Sequence, residues 1–282
     1  MSRTVPSLEG RRVLITGAAR GIGAALAKRL HERGARIALM GLERPLLDEV
    51  ARACDGAPTF TCDVTDRAAV DRCVEAAVSA LGGLDIVIAN AGVAAQVPIL
   101  GGNPVVFERT IAVNVLGVYY TLRAAAPHIA HARGYALAIS SLGGAVHVPL
   151  MGAYAASKAG VEALGNAMRT EMQSSGARVG VAYFAELETD MTRKGFGTRA
   201  ARVVTGGSAL TGIAPLSSAI DALERGITRR SRQIVAPGWV ALVLPFRAVA
   251  QRVIEVALRS RVDEAVRIAR EENAPLTTEQ PR

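Results

Sequence analysis

The sequence predicts an α/β fold, in which one doubly wound parallel sheet carries helices on both faces and a C-terminal helical extension follows. Three observations predict it. Short apolar runs alternate with longer helical patterns, a glycine-rich turn follows the first run, and half of the 282 residues are apolar, which is ample for one large core. Buried strands joined through helices require right-handed crossovers, so the sheet should be parallel and covered on both faces.

The predicted elements follow in chain order. Strands are expected at residues 12–16, 35–40, 57–61, 84–89, 134–140, 178–184 and 232–236. Helices are expected between them, including 21–33, 44–53, 66–81, 105–130 and 153–175. We assign residues 1–237 to the sheet domain and residues 238–282 to an amphipathic helical extension and tail.

The first strand leads into a turn that suits a phosphate group. The apolar run ending at Thr16 is followed by Gly17-Ala18-Ala19-Arg20-Gly21-Ile22-Gly23 and then by a helical pattern. Gly17 permits a tight turn, Gly21 lets the backbone approach phosphates, and Gly23 lets the helix pack closely on the strand. Strand, turn and helix in this order predict a pyrophosphate site at the helix N-terminus.

Polar residues also follow the third and fourth strands. Asp63 lies in Cys62-Asp63-Val64-Thr65-Asp66, which is either a ligand contact or a strand end followed by a helix cap. Asn90-Ala91-Gly92 ends an apolar run, where Asn and Gly also suit a loop for backbone reasons. Asn114 lies within an otherwise apolar helical stretch, where burying an unpartnered amide is costly, so we expect a polar role for it.

Three residues around the fifth strand predict proton transfer. Ser141 follows the apolar run, and Tyr154 and Lys158 are four residues apart, which places them on one face of a helix. A cation beside the phenol favours the phenolate, so we expect the pKa of Tyr154 to fall from its usual ~10. Ser141 can donate to a carbonyl or alkoxide oxygen that Tyr154 protonates or deprotonates. The trio therefore predicts interconversion of an alcohol and a ketone.

These motifs, in this order and at these spacings, resemble the short-chain dehydrogenase/reductase family over residues 8 to about 237. The resemblance implies a Rossmann-like domain, an NAD or NADP cofactor and a homodimer or homotetramer. It implies catalytic roles for Asn114, Ser141, Tyr154 and Lys158, with Asn114 holding a water in a proton relay through Lys158. It implies cofactor contacts, with Asp63 at the adenine ring, from Gly17, Arg20, Gly21, Ile22, Gly23, Gly41, Leu42, Asp63, Val64, Asn90, Ala91, Gly92, Tyr154, Lys158, Leu187 and Thr189.

The sequence departs from the family pattern at the end of the second strand. Gly41 stands where NAD-preferring members carry Asp, and Leu42 stands where many NADP-preferring members carry Arg. Arg20 and Arg44 could supply positive charge to a 2′-phosphate, whereas Glu43 could substitute for the missing acid. Because no carboxylate at Gly41 repels a phosphate, the sequence favours NADP over NAD.

A second departure follows the sixth strand, where the family usually has Pro-Gly and this chain has Ala185-Glu186. Leu187 and Thr189 keep the positions from which the nicotinamide carboxamide would be contacted. Glu186 either turns to solvent, since an unpaired buried charge is costly, or contacts the substrate.

The expected substrate wall is mostly apolar. It comprises residues 142–151, with Val146, His147, Val148, Leu150 and Met151, together with residues 94–97 and a mobile lid over 191–197. Phe196 in that lid is flanked by Gly195 and Gly197 as hinges. Such a lining suits a hydrophobic ketone or secondary alcohol. The altered segments leave a catalytically inactive nucleotide-binding scaffold or regulator as the alternative function, although four catalytic residues favour an enzyme.

Positive charge is concentrated near the C-terminus. Residues 1–190 carry 18 basic and 17 acidic side chains, whereas residues 191–282 carry 15 and 8. An apolar stripe spaced four, three, four and three apart comprises Leu242, Phe246, Val249, Val253 and Val256. A helix over residues 239–259 could lie on an anionic membrane surface, or it could pack on its own domain or on a partner subunit. The last residues, 274–282, are expected to be mobile.

Several classes are excluded by composition. Few aromatic residues are available for base stacking, so the arginine excess does not predict nucleic-acid binding. No apolar stretch has the length of a membrane span or a signal-peptide core, which predicts a cytoplasmic protein. Three cysteines and four scattered histidines show no disulfide or metal-ligand spacing, so no metal is predicted.

Overall fold

Seven parallel strands form one sheet in the order 3-2-1-4-5-6-7. The structure is a computed structural model, and it describes residues 7–195, 197–207 and 212–277. The predicted strands are confirmed, with bounds of β1 Arg12–Thr16, β2 Arg36–Gly41, β3 Thr59–Thr61, β4 Ile86–Ala89, β5 Tyr135–Ile139, β6 Arg178–Phe184 and β7 Gln233–Ala236. The strand order reverses beside β1, so a crevice opens between the carboxyl ends of β1 and β4.

Helices cover both faces of this sheet. They are α1 Gly21–Glu32, α2 Arg44–Arg52, α3 Arg67–Leu81, α4 Pro104–Ile111, α5 Gly117–Ile129, α6 Gly152–Glu171, α7 Asp190–Gly195, α8 Arg199–Thr205 and α9 Leu216–Arg229. In α3 the N-cap Asp66 accepts from the Ala69 amide at 3.0 Å, and Gly82 ends the helix at a φ of 71°. The apolar faces of α1, α2, α3, α5, α6 and α9 then pack on the strands, as the alternating pattern requires.

The helix predicted over residues 105–130 is interrupted. Between α4 and α5, residues Ala112–Leu116 form a π-helical turn, in which the Gly117 amide donates to the Ala112 carbonyl five residues back. The run Pro104–Ile129 is long and apolar enough to cross a membrane by length and composition alone. Here α5 packs on β4, β5 and α3, and the run carries the buried Asn114, so it is a core helix.

The C-terminal extension consists of several short helices. It contains α10 Val240–Val243, α11 Arg247–Leu258 and α12 Val262–Glu272, with 3-10 turns between them. The predicted helical extension is therefore present, but the helix over 239–259 is interrupted, because Pro245 lies in the 3-10 turn Leu244–Phe246 that separates α10 from α11. α12 packs on α8, and Ile254 of α11 packs on buried residues from both the extension and the sheet domain.

The chain after α12 returns to the sheet domain. The Thr277 amide donates to the Ala94 carbonyl at 2.9 Å, and the Ala94 amide donates to the Thr277 hydroxyl at 3.0 Å. Ala274 and Thr277 are both buried. The expectation of a mobile tail is thus wrong for residues 274–277, and residues 278–282 lie outside the described part of the chain.

Candidate active site

The carboxyl ends of β1, β4, β5 and β6 border one cavity of about 610 Å³. All the predicted site residues line it except Gly23 and Asn114, which lie behind its wall. The lining members of that set are Gly17, Arg20, Gly21, Ile22, Gly41, Leu42, Asp63, Val64, Asn90, Ala91, Gly92, Ser141, Tyr154, Lys158, Leu187 and Thr189. Residues that are far apart in the sequence therefore meet at one place.

The glycine turn fits the role predicted for it. Gly17 and Gly21 have φ angles of 64° and 55°, which side chains other than glycine rarely adopt. A Cβ at Gly23 would lie 2.2 Å from the Gly17 carbonyl oxygen, so no larger residue fits there without movement. The N-terminus of α1 consequently lies directly against the end of β1, with its first amides at the cavity.

Asn90 braces this turn from the neighbouring strand. Its side-chain amide donates to the carbonyl oxygens of Thr16, at 2.9 Å, and Gly17, at 3.1 Å. The Thr16 hydroxyl in turn accepts from the backbone amides of Asn90 and Ala91. The Asn90 side chain thus links β4 to β1. Asn90 therefore has a specific structural role here, in addition to the general preference of Asn for loops.

An ion pair occupies the cavity beside the end of β2. Arg20 and Glu43 both line the cavity, their charged groups are in contact, and the Arg20 Nε donates to Glu43 at 3.2 Å. Both side chains are about 30% exposed, at 31% and 28%. Arg44 instead pairs with Asp48 at 2.8 Å on the exposed side of α2, so it is not placed to supply charge to the cavity.

Asp63 is held in place by a partner that sequence reasoning missed. Its carboxylate accepts from the amide and hydroxyl of Thr65 and pairs with Arg109 of α4 at 2.7 Å. Burial raises the pKa of Asp63, but the hydrogen bonds from Thr65 and Arg109 outweigh burial and lower it overall. The helix cap is supplied by Asp66, so the capping role considered for this segment belongs to that residue and not to Asp63.

Ser141 and Tyr154 meet where β5 ends. The Ser141 hydroxyl accepts from the Gly143 amide at 3.0 Å and is hydrogen-bonded to the Tyr154 side chain. Burial raises the pKa of Tyr154, and the bond to Ser141 lowers it by less. The predicted direction was therefore wrong, because the loss of hydration outweighs the hydrogen bond to Ser141. In this state the phenol is a proton donor at neutral pH.

Lys158 lies one turn further along α6. Its ammonium is 5.6 Å from the centre of the Tyr154 ring and donates to the Ile139 carbonyl oxygen at 2.9 Å. Lys158 is 5% exposed, and burial lowers its pKa to about 8. A cation that titrates close to neutrality therefore lies beside the phenol.

Asn114 links the cavity wall to the helix that carries these two residues. Its side chain accepts from the Val93 amide at 2.8 Å and donates to the Val93 carbonyl and the Ser157 hydroxyl, each at 2.9 Å. Ser157 donates to the Tyr154 carbonyl at 2.7 Å. The polar role predicted for Asn114 is present as a fully bonded, buried bridge, and its side chain is occupied by protein groups.

The segment after β6, where the sequence departs from the family pattern, forms part of the cavity wall. Leu187 pairs with Ala214, and its carbonyl accepts from the Thr192 hydroxyl at 2.6 Å. The Thr189 hydroxyl accepts from the Thr192 amide at 3.3 Å at the start of α7. Glu186 lines the cavity, and burial raises the pKa of its carboxyl. Glu186 is half-buried, so it does not turn fully to solvent, and no hydrogen bond or ion pair joins its carboxyl to another described residue.

The substrate wall differs in part from the prediction. Val146, Val148 and Met151 line the cavity, whereas Leu150 packs with residues of α8 and α12 and His147 bonds to Gln251. The predicted lid includes a helix, α7, over residues 190–195, and Phe196 lies outside the described residues. Gln96, from the predicted wall segment 94–97, also lines the cavity. Sequence reasoning missed Ile213, Ile254 and Thr277, which long-range packing brings to the cavity.

Within residues 7–195, 197–207 and 212–277, no group of three or more His, Cys, Asp or Glu side chains could hold a metal ion. The groups that line the candidate site include a glycine turn, a buried lysine, and a tyrosine and a serine in contact. Its fold and its cavity define a nucleotide-binding oxidoreductase architecture.

Comparisons with known proteins agree with this class. The model of the short chain dehydrogenase family matches residues 11–199, so the chain belongs to that family. A glycine betaine reductase of Emericella nidulans is 36% identical over 65% of this chain but only 15% of its own length. The chain thus spans a small part of that relative. An oxidoreductase of Staphylococcus aureus is 33% identical over 61% of this chain and 76% of its own.

Solved structures share the fold. A short chain dehydrogenase from Mycobacterium paratuberculosis bound to NAD has a TM-score of 0.71 and is 30% identical, covering 81% of this chain and 97% of its own. A dehydrogenase/reductase from Sinorhizobium meliloti has a TM-score of 0.72 and 26% identity, covering 82% and 96%.

Proposed function

We propose that this protein is an NAD(P)-dependent oxidoreductase that interconverts a hydrophobic secondary alcohol and the corresponding ketone. The observation that carries the proposal is the convergence of Ser141, Tyr154 and Lys158 in one cavity with the glycine turn. A scaffold that only binds a nucleotide has no need of a buried cation beside a phenol, whereas proton transfer has.

The cavity fits a dinucleotide at both ends. The backbone amides at the start of α1 would bind the pyrophosphate, because Gly17, Gly21 and Gly23 keep that approach clear of side chains. Asp63 and Val64 would contact the adenine ring, and Lys158, Leu187 and Thr189 would hold the nicotinamide end. When bound, the dinucleotide supplies the hydride that reduces a carbonyl carbon or accepts the one that an alcohol releases.

The protein groups supply the proton. In ketone reduction, Ser141 donates a hydrogen bond to the carbonyl oxygen and the Tyr154 phenol gives that oxygen its proton. The Lys158 ammonium stabilises the phenolate left behind, and it can return a proton because its pKa is about 8. Asn114 is a positioning residue, since its bonds to Val93 and Ser157 fix the cavity wall relative to α6. Alcohol oxidation reverses each proton transfer.

The Arg20–Glu43 pair bears on the choice of dinucleotide. Glu43 supplies at the cavity the carboxylate that is missing at Gly41, and it neutralises the cation that a 2′-phosphate would need. We therefore propose NAD as the preferred cofactor, although the sequence alone favours NADP. Titration with NADH and NADPH tests this. Glu43→Gln should raise NADPH affinity about tenfold by releasing Arg20, whereas Asp48→Asn, outside the cavity, should leave both affinities unchanged.

The substrate class is proposed from the lining. Val146, Val148, Met151 and Ile254 present apolar surface to the cavity that Tyr154 also lines, and Glu186 is a polar group that can contact either the substrate or the carboxamide. Scanning apolar ketones and alcohols with NADH and NADPH should find turnover that Tyr154→Phe reduces at least about 100-fold. Dinucleotide binding without turnover on any of these substrates would favour the inactive scaffold.

The assembly is proposed to be a homodimer or homotetramer in the cytoplasm. Exposed apolar side chains on α4 and α5 support it, namely Val105, Phe107 and Tyr119, at 66%, 39% and 45% exposure. Light scattering gives the mass directly, and Tyr119→Lys should lower it. A monomeric wild type would contradict the proposal.

A further inference from the structure

A row of large apolar side chains is exposed along the outer face of the C-terminal extension. We call it the exposed stripe, and its exposed fractions run from 37% to 78%. Its members are Trp239, Leu242, Phe246, Val249, Val253 and Val256. In the described part of the chain, α11 packs on its own domain through its other face, and the stripe itself remains exposed. Contiguous apolar surface of this kind marks a contact with another molecule or with a membrane.

The opposite face of α11 holds the helix firmly in this orientation. Ala250 and Ile254 pack against Leu142 and Val146, which follow β5, and against residues of β6. Leu258 packs with α8 and α12. Gln251 accepts from the His147 amide at 2.8 Å. Ile254 also lines the substrate cavity, so a single helix separates that cavity from the exposed stripe. Because the inner face is already buried, the stripe has no place to pack within the described part of the chain.

The charge around the exposed stripe distinguishes between its two possible partners, a second copy of the chain and a lipid surface. Residues 239–261 contain four arginines and one glutamate. Arg252, Arg259 and Arg261 are exposed, whereas Arg247 pairs with Glu162 at 3.2 Å. A second copy docked by a two-fold axis would bring the same positive surface against itself, which is unfavourable. An anionic lipid surface complements that charge.

We propose that the exposed stripe docks this protein on an anionic lipid bilayer, with α11 lying in the interface plane. The apolar side chains enter the headgroup boundary, Trp239 and Phe246 among them, and the arginines contact lipid phosphates. α11 then lies between the bilayer and the cavity, so an apolar substrate dissolved in the membrane has a short path to Ile254. That last consequence depends on the proposed oxidoreductase function, whereas the docking does not.

Sedimentation with vesicles tests the docking without any activity assay. The full chain should pellet with vesicles of phosphatidylcholine and phosphatidylglycerol in equal amounts. It should bind vesicles of phosphatidylcholine alone about 100-fold more weakly, since each net positive charge strengthens binding to an anionic surface about fivefold. A triple variant, Phe246→Gln, Val249→Gln and Val253→Gln, should lose at least about 100-fold in binding to the anionic vesicles.

The matched control removes exposed apolar side chains elsewhere. Ile99→Gln with Leu100→Gln removes two side chains of 77% and 66% exposure from the loop before α4, and this variant should pellet like the wild type. Thermal unfolding of each variant checks folding, and the triple variant should unfold as the wild type does because its three positions are exposed. Intact protein that stays in the supernatant, or a triple variant that pellets equally, would overturn the proposal. A triple variant of lower oligomer mass, with no vesicle binding by wild type, would assign the face to contacts between copies.

Discussion

Replacing Lys158 by methionine should make the protein more stable at neutral pH while abolishing its activity. The ammonium is 5% exposed, and burial lowers its pKa from 10.5 to about 8. At ~1.36 kcal/mol per pKa unit, keeping this charge in the folded state at pH 7 costs about 3 kcal/mol. Methionine removes that cost but leaves the Ile139 carbonyl without its donor, which costs about 1–2 kcal/mol.

Whether Lys158→Met is more or less stable than the wild type depends on pH. Below pH 8, Lys158→Met should be more stable than the wild type by about 1–2 kcal/mol. Between pH 8 and 10.5 the unfolded wild type binds more protons than the folded one, so wild-type stability rises relative to the variant. Above pH 10.5 the burial penalty is gone and the variant should be the less stable of the two.

Urea unfolding at a series of pH values measures this difference directly. Making both proteins in a Tyr154→Phe background removes the titration of the tyrosine beside Lys158, and subtracting one from the other cancels the titration of the remaining buried tyrosines. Lys28→Met is the matched control, because Lys28 is exposed, and its difference should stay near zero at every pH. A Lys158→Met variant that is less stable by the same amount at every pH would refute the claim that this lysine is desolvated.

Three further predictions follow from single contacts. Gly23→Ala should weaken NADH binding at least about tenfold, because its Cβ would lie 2.2 Å from a carbonyl oxygen, whereas Gly238→Ala meets nothing within 4 Å and should bind normally. Asn114→Ala should lower the free energy of unfolding by about 2–4 kcal/mol, since it orphans buried groups, against little change for the exposed Asn166→Ala. Glu186→Gln should stabilise the protein at pH 7 but not at pH 4, because burial raises the pKa of that carboxyl and its penalty disappears once it is protonated. Equal effects of a variant and its control, or for Glu186→Gln an effect independent of pH, would contradict these assignments.

The parts of the fold that local pattern determines were predictable from the sequence. The seven strands, the glycine turn and the Tyr154 to Lys158 spacing each depend on neighbouring residues, and the structure has them where the pattern places them. Parallel pairing then brings the strand ends to one edge, so the site residues meet in one cavity.

Contacts between distant segments were not predictable in this way. Arg109 reaches Asp63 from α4, and Thr277 returns to Ala94 from the end of the described chain, and neither pairing leaves a periodic signal. The direction of the Tyr154 pKa failed for a related reason, since it depends on how deeply the folded chain buries the phenol. The spacing of the apolar residues in the extension predicts the stripe. Its exposure could be seen only in the structure, because it depends on which face of α11 packs on the domain.

Transfer of a deuterium label tests the central claim most directly. The protein would be given a ketone found in the substrate scan and NADH deuterated at the transferred position, and the product alcohol would be analysed by mass spectrometry. The account predicts that the label appears on the carbinol carbon with the wild type, and that Tyr154→Phe binds the dinucleotide while forming at least about 100-fold less product. Product without the label, or equal product from the variant, would contradict the assignment of this cavity to hydride and proton transfer.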